Sequence, residues 1–469
     1  MPVPDDDGAV KVMRLAAGLA AARAVGGLAR ATGRGGGTSL PGKVLTRMEP
    51  QAIERLAGRL PRGSVVISAT NGKTTTAAMV SAVLERAGVR LVHNRAGANM
   101  AGGVAAALAA AARRGGRAID GELGLFEVDE FWLAAVVEEI EPRALLLSNL
   151  FRDQLDRYGE LDTIADRWAE LVGRRSDRTR LVLNADDPLI ADLGRETPGA
   201  LYFGVEDASL ALPSLQHASD SKHCRRCGHA YVYETVYLAH LGRYHCPNCG
   251  RRRPPPAVVA RSVALHGIRA AAFTLCAGGE EHRVELPLPG LYNVYNALGA
   301  AALCLALDVP AAEVAAGLAT VAPAFGRAET IELAGRPTSI LLVKNPAGAN
   351  EVLRTLTLEG RDLDVFGVLN DRTADGRDVS WVWDADWELL APHLRRMTCS
   401  GTRAAELALR LKYAGVEAQR LHVVEDLSDG LDAALADGDG ALYALPTYTA
   451  LLELRELLAR RGQAREYWR

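Results

Sequence analysis

The sequence predicts an α/β protein in which parallel sheets are covered by helices on both faces, interrupted by one small cysteine-rich module. Three observations carry this reading. Short, β-branched apolar runs such as Ser64-Val65-Val66-Ile67-Ser68 alternate with stretches of helical periodicity, the pattern of strands buried on both faces. The alternation recurs in the last third of the chain, as in proteins built on two wound sheets. Between the two regions, from about Ser209 to Val258, the texture turns to Cys, His, Tyr, Arg and Pro.

The elements follow in chain order. Val10 to Ala31 is Ala-, Leu- and Val-rich, but Lys11, Arg14, Arg23 and Arg30 break it and Asp5-Asp6-Asp7 precedes it. It predicts an amphipathic surface helix, not a secretory signal, with peripheral membrane contact left open. A Gly-rich linker follows, Gly33-Arg34-Gly35-Gly36-Gly37-Thr38, and then helical periodicity from Pro50 to Leu60. The strand Ser64 to Ser68 leads to a helix over Ala77 to Ala87, and further strands are expected at Leu123 to Val128, Ala144 to Ser148 and Arg180 to Leu183. The inserted module closes at Arg251-Arg252-Arg253-Pro254-Pro255-Pro256, and a helix over Val294 to Leu307 resumes the α/β pattern. After Phe325-Gly326-Arg327 come strands at Ser339 to Val343, Leu363 to Leu369 and Arg420 to Val424, and a last helix from Thr447 to Gly462. The expected units are residues 1–45 (helix and linker), 46–325 (central domain, module inserted at about 209–258) and 326–469 (C-terminal domain).

Composition narrows the function. Of 469 residues, 49% are hydrophobic and 24% charged, and 54 Lys+Arg against 57 Asp+Glu leave a net charge of −3, which excludes a disordered chain and a general polyanion binder. No run approaches the ~18 apolar residues of a membrane span, so a cytoplasmic protein is expected. Seven Cys are too few for a disulfide scaffold in so long a chain, and four of them form two close pairs, which points to metal in a reducing compartment.

Ser68-Ala69-Thr70-Asn71-Gly72-Lys73-Thr74-Thr75-Thr76 lies between a predicted strand and a predicted helix, where small residues and free helix N–H groups cradle phosphate. Thr70, Asn71, Gly72 and Thr75 are expected to belong to this nucleotide-phosphate loop. Lys73 is expected on the β/γ-phosphates and the Thr74 hydroxyl on Mg²⁺. The fuller form of the motif has Gly where this chain has Ile67.

Cys224-x₂-Cys227 and Cys246-x₂-Cys249, 18 residues apart, have the spacing of a tetrahedral Cys₄ zinc site. Four sulfur ligands leave no open position, so the zinc is expected to be structural. His223, His229 and His245 are expected at the surface, and Cys276, Cys304 and Cys399 as buried hydrophobes. A third feature is the stretch Asn370 to Asp384, which holds Asp371, Asp375, Asp378 and Asp384 with Trp381 and Trp383 directly after a predicted strand.

Ala69-Thr70-Asn71-Gly72-Lys73-Thr74 resembles the nucleotide loop of the Mur ligases, the ATP-dependent enzymes of peptidoglycan precursor synthesis. Other motifs follow in that family's order. Asn94 to Met100 resembles its substrate-side loop, which implies substrate contacts for Asn94 and Asn99. Glu127-Val128-Asp129-Glu130 is similar to the strand-end acidic motif, which implies Mg²⁺ on Glu127. Asn149 to Asp156 and Asn184 to Pro188 are similar to two further motifs. Gly290 to Ala297 resembles the element near the adenine, and Phe325 to Glu329 the segment leading to the last domain, so that Asn293 and Arg327 are implied at ATP. The implied fold is a Mur-ligase-like ATPase domain on a central parallel sheet, with an inserted zinc ribbon and a C-terminal Rossmann-like domain. Two positions depart from the family. Gln154 stands where it has a metal-contacting His, and Gly159 to Gly173 has no Lys where many members carry a carbamylated one, so a second Mg²⁺ position is not implied. Lys344 stands where the wider family places an Asp beside the ribose, with Asn345 and Asn350 as nearby polar groups.

The zinc ribbon, with Gly33 to Lys43 and Asn149 to Glu160, narrows the resemblance to the MurT subfamily. That resemblance implies ATP-dependent amidation of the D-Glu α-carboxyl of the lipid II stem peptide through an acyl phosphate. Ammonia would come from a GatD-like glutaminase partner in a heterodimer at the cytoplasmic membrane face. It also implies that one Asp of the 371–384 stretch supports the partner's Cys-His pair; Asp378 is favoured, Asp375 next. The alternatives are an amino-acid ligase of the Mur or folylpolyglutamate type, and a zinc-ribbon nucleic-acid-binding ATPase. Arg225, Arg226 and Arg251 to Arg253 would serve the latter, although the net charge gives no general footprint for nucleic acid.

Overall fold

The computed structural model describes residues 6–31, 39–94, 98–153, 161–322, 327–360, 362–436, 438 and 440–463. Among them, nine strands form the larger sheet. From one edge to the other they are Glu280–Leu286, Ala270–Ala277, Val258–His266, Leu201–Val205, Arg180–Asn184, Ala144–Leu147, Ser64–Ser68, Leu123–Glu127 and Leu91–His93. From Val258–His266 to Leu91–His93 the pairing is parallel. The strand Ser64–Ser68 explains the apolar runs: all five residues are buried, with Val65 and Ile67 in the core on one face and Val66 in the core on the other. A sheet covered on both faces has no polar side, so its strands read as unbroken apolar runs.

The helices Lys73–Arg86 and Leu291–Ala306 cover one face. The other is covered by Leu40–Met48, Ala52–Ala57, Ala101–Ala111, Leu133–Ile140 and Leu161–Arg174, and by the long N-terminal helix Asp6–Ala31, which buries Leu15, Leu19 and Ala22 at successive turns. Leu40–Met48 and Ala101–Ala111 touch backbone to backbone: a Cβ on Gly42 would come within 1.8 Å of the Gly102 carbonyl oxygen. Among the described residues no helix is long and apolar enough to cross a membrane.

The second sheet has the order Arg327–Leu333, Arg336–Leu341, Leu442–Pro446, Leu363–Val368, Leu394–Ser400, Leu421–Val423, parallel apart from the first strand. Its helices include Pro346–Thr357, Ala404–Tyr413, Leu427–Ala436 and Tyr448–Arg460.

The structure adds elements the sequence reading did not include, among them the strands Leu201–Val205, Leu394–Ser400 and Leu442–Pro446. Val258–His266, Ala270–Ala277 and Glu280–Leu286 extend the large sheet as an antiparallel meander where no strands were expected. One face of this end is wet, so charged residues such as Glu280, Glu281 and Arg283 alternate with core residues such as Val284 and dilute the apolar signal. The helix expected from Ala77 begins four residues earlier, at Lys73, directly on the loop.

Candidate functional site

The loop after Ser64–Ser68 is held in shape from several sides. Gly72 caps the helix with φ +89°, a left-handed conformation that glycine adopts without strain, and a Cβ there would lie 2.0 Å from the Asn296 side-chain oxygen. The Asn71 N–H donates to Asn149 Oδ1 at 2.9 Å, and Asn149 Nδ2 donates to the Asn71 carbonyl at 3.0 Å. The Thr70 hydroxyl accepts from the Phe151 N–H. The segment after Ala144–Leu147 therefore braces the loop from the neighbouring strand.

The C-terminal domain grips the same loop. Asn345 and Asn71 form a reciprocal amide pair, Nδ2 to Oδ1 at 3.0 and 3.2 Å, while Asn345 Oδ1 also caps the helix Pro346–Thr357 through the Gly348 N–H. Lys344 Nζ donates to Asp153 Oδ2 at 2.6 Å and to the Thr70 carbonyl at 3.2 Å. Lys344 thus ties the loop to its brace. Asn350 turns away, pairing with Asp386, and does not line the cleft.

Lys73 is buried and donates to Glu130 Oε2 at 2.8 Å and to the Ala69 carbonyl. Burial alone would lower its pKa, but the charges of Glu130 and Asp129 outweigh burial and raise it, so it is an ammonium at neutral pH. For Glu130, burial works upward, yet Lys73 and then Lys344 hold the carboxylate below its ordinary value. Burial and the Glu130 charge raise Asp129. Glu127 is buried at the end of its strand, in register with Ile67 on the strand that carries the loop. Its oxygens and the hydroxyl of Thr74, in the first helical turn, are hard donors of the kind Mg²⁺ takes.

Asn94 and Asn99 lie near this acidic strand end. The Asn94 amide donates to the carbonyls of Glu127 and Ala98 and accepts from the Glu127 N–H, while the Asn99 carbonyl accepts from the Asp129 N–H. Both brace the strand end through backbone contacts. Gln154, Asp156 and the Arg327 side chain fall outside the described residues.

A cleft of about 980 Å³, counting the solvent at its mouth, opens from the loop. Asn71, Gly72 and Thr75 stand at one end. Leu238, Leu241, Leu288, Tyr292 and Val352 make the rest largely apolar, with Asn293, Asn296 and Glu351 as polar groups. Asn293 is buried, with Nδ2 donating to the Pro289 carbonyl at 2.7 Å and Oδ1 accepting from Asn296. Sequence reasoning missed Leu238 and Leu241. They sit at the tip of the hairpin Val232–Leu238/Leu241–His245 that rises from the cysteine module, and only folding brings that tip to the cleft. It also missed Glu351, for which helical spacing from Asn345 was the one available signal.

The four cysteines converge. Their Sγ atoms all lie within 4.8 Å of one another, with 3.6 Å between Cys224 and Cys249 and 3.4 Å between Cys227 and Cys246. The sulfur–sulfur edge of a zinc tetrahedron is ~3.8 Å for Zn–S bonds of ~2.3 Å, so the donor set and its spacing fit that metal. Gly228 and Gly250 close matching turns at φ +73° and +72°, their N–H groups donating to the Cys224 and Cys246 carbonyls. The Cys227 thiol is held down to about 6, first by the His229 backbone N–H.

The module is seated on the central domain. Cys224, Cys246, Tyr231 and Tyr244 pack with Ala191, and buried His240 faces buried Asp187 at 3.4 Å. Three of its arginines are neutralised in place: Arg225 by Asp166 and Asp162, Arg251 by Asp192, Arg253 by Asp186 and Glu206. This removes most of the basic face that nucleic-acid binding would need. Of the other cysteines Cys304 and Cys399 are buried, but Cys276 is only half-buried on the antiparallel strand Ala270–Ala277.

In the C-terminal loop, Asp375 is buried and accepts from the Thr449 N–H and hydroxyl, with burial raising its pKa. Asp371 pairs with Arg403 and Asp384 with Arg152. Asp378 is exposed, and the Ser380 N–H it accepts lowers its pKa. Trp383 is also exposed, with Arg410 over its ring; Trp387 fills the core beneath, and Trp381 packs half-buried against it.

A wound sheet with a braced Gly-Lys-Thr loop, opened against a second α/β domain, defines the Mur ligase class. The Mur ligase middle domain family matches residues 67–249, and the MurT ligase C-terminal family matches residues 342–451. Among solved structures, the pseudomurein peptide ligase type C of Methanothermus fervidus superposes with a TM-score of 0.67 at 22% identity, over 87% of this chain and 80% of that one. MurF ligase of Thermotoga maritima, in complex with ADP, gives 0.60 at 15% identity over 90% and 85%. The lipid II isoglutaminyl synthase subunit MurT of Staphylococcus aureus strain N315 is 32% identical over 92% of this chain and 94% of its own length, and that of Streptococcus pneumoniae is 31% identical over the same shares. The chain belongs to the MurT family of Mur ligases.

Proposed function

We propose that this chain is the ATP-dependent synthase subunit of a lipid II isoglutaminyl synthase. A carboxylate oxygen of the D-Glu residue in the lipid II stem peptide attacks the γ-phosphorus of ATP, and ADP leaves. Ammonia then attacks the acyl phosphate carbonyl, phosphate leaves with its bonding pair, the nitrogen loses a proton, and D-isoglutamine results. Lys73 neutralises charge on the transferring phosphoryl group, work suited to a cation held near its destination by Glu130 and the Ala69 carbonyl. Mg²⁺ held by Thr74 and Glu127 would add positive charge at the phosphates. Asn293 and Arg327 serve the nucleotide, and Asn94 and Asn99 support the substrate side.

Zinc on Cys224, Cys227, Cys246 and Cys249 is structural in this reading: the ribbon carries the hairpin whose Leu238 and Leu241 wall the cleft. Ammonia comes from a GatD-like glutaminase bound as a heterodimer, with Asp378 orienting the partner's imidazole. Asp378 suits that role because it is exposed, while Asp375 is committed to Thr449. Lipid II is met at the cytoplasmic membrane face.

The observation that carries this reading is similarity to MurT subunits along 92% of the chain, the C-terminal domain included. Co-purification with the glutaminase, followed by lipid II amidation with ATP and glutamine, tests it. Absence of ATP-dependent amidation from the pair would refute it. Asp378→Asn should abolish glutamine-driven amidation and spare amidation driven by ammonium; equal loss with both nitrogen sources removes Asp378 from the partner's triad.

A further inference from the structure

The apolar end of the cleft holds one carboxyl group that this chemistry leaves unused. Glu351 lies six residues past the Asn345 cap of the helix Pro346–Thr357, so ~9 Å of helix rise separates it from the residues that grip the phosphate loop. It lines the cleft with Leu238, Leu241, Leu288 and Val352, and is 2% exposed. Its Oε1 atom is enclosed and accepts no hydrogen bond from the described residues. The nearby cation does not meet this need: Arg354 stands 3.8 Å away and donates instead to the carbonyls of Tyr237 and Leu210, at 2.9 and 3.2 Å. A buried acceptor without a donor destabilises the fold, and its presence in a ligand cleft points to a donor on the ligand.

We propose that Glu351 selects the base: its carboxyl accepts a hydrogen bond from the exocyclic 6-amino group of adenine, and a 6-oxopurine is rejected because it turns an acceptor toward that acceptor. The inference rests on the cleft being the ATP site. Burial pushes the Glu351 carboxyl up to about 7, so in mildly alkaline buffer it is ionised and unusually basic, a strong acceptor. Of the other polar groups in the lining, Asn293 and Asn296 already bond to the Pro289 carbonyl and to each other, which leaves Glu351 Oε1 as the enclosed acceptor without a donor.

The test compares Mg-ATP with Mg-ITP at pH 8, as dissociation constants for the full chain by calorimetry and as kcat/KM ratios in the amidation assay. The wild type should prefer ATP by ~100-fold or more, the range reached when a mismatched base leaves a buried polar group unpaired. Glu351→Gln, whose amide can donate to a 6-oxo group, and Glu351→Ala should each narrow that ratio by at least ~10-fold. Wild-type protein that binds and uses the two nucleotides within about threefold overturns the proposal with no variant needed. So do variants that keep the wild-type ratio. If neither nucleotide binds, the ATP reading of the cleft fails and takes this inference with it; if ATP binds and turns over but the ratio is flat, only the role of Glu351 falls.

Discussion

The two ends of the cleft are built on opposite plans. At the phosphate end, Asn71, Gly72 and Lys73 are consecutive; Asn149 and Asn345 hydrogen-bond to Asn71, and Glu130 to Lys73. At the other end, Leu238, Leu288, Tyr292 and Val352 come from three separate segments, meet through apolar contact, and surround one underused carboxylate. The phosphate end depends on directional bonds within a short loop. The far end depends on where the ribbon hairpin and the helix Pro346–Thr357 come to rest.

The contrast orders the expected effects. Lys73→Ala should cut kcat by about 10³-fold in the reconstituted pair, with glutamine or ammonium as nitrogen source, since it removes the cation from the transferring group. It also strands Glu130, so a lower Tm accompanies the loss. A Lys73→Ala pair of undiminished activity would break the assignment of the phosphate end.

Zinc removal should act at the far end. Cys227→Ser, or a strong chelator, is expected to release metal and raise the KM for ATP by ~10-fold, with a smaller change in kcat, as the hairpin wall loses its support. Metal content by mass spectrometry beside steady-state kinetics checks this; a zinc-free protein with unaltered KM would uncouple ribbon from cleft.

Glu351 makes a pH prediction. Its folded pKa of about 7 lies above the ordinary 4.5, so between these values the folded state binds more protons than the unfolded one. Stability therefore falls as pH rises from about 4.5 to about 7, by an amount on the order of 2–3 kcal/mol from this group. Glu351→Gln should flatten that slope in urea unfolding at pH 5 and pH 8, and equal slopes for variant and wild type would contradict the buried-acid assignment. Smallest is Asn345→Ala, which removes a helix cap and the amide partner of Asn71, with an expected cost of about 1 kcal/mol in the same measurement.

Legibility in the sequence followed the same divide. The strand Ser64–Ser68, the loop through Thr76 and the two Cys-x₂-Cys pairs could be read directly because each rests on neighbours in the chain. The meander of Val258 to Leu286 could not, because its one wet face mixes Glu280, Glu281 and Arg283 with core residues. Nor could the fate of Lys344: its spacing marked only a departure from the family, and the salt bridge to Asp153 needs two domains in contact. Trp383 and Trp387 lie four residues apart, yet Trp383 is exposed and Trp387 buried, a difference that their shared bulk and aromaticity do not announce.

What the chain settles alone is local: a turn small enough for phosphate, a lysine to follow it, and two Cys-x₂-Cys knuckles at the spacing of one metal site. What folding decided is which distant surfaces face one another. The hairpin tip reaches the cleft and Glu351 is sealed among leucines because sheet order and domain docking, driven by apolar burial that has no direction of its own, put them there.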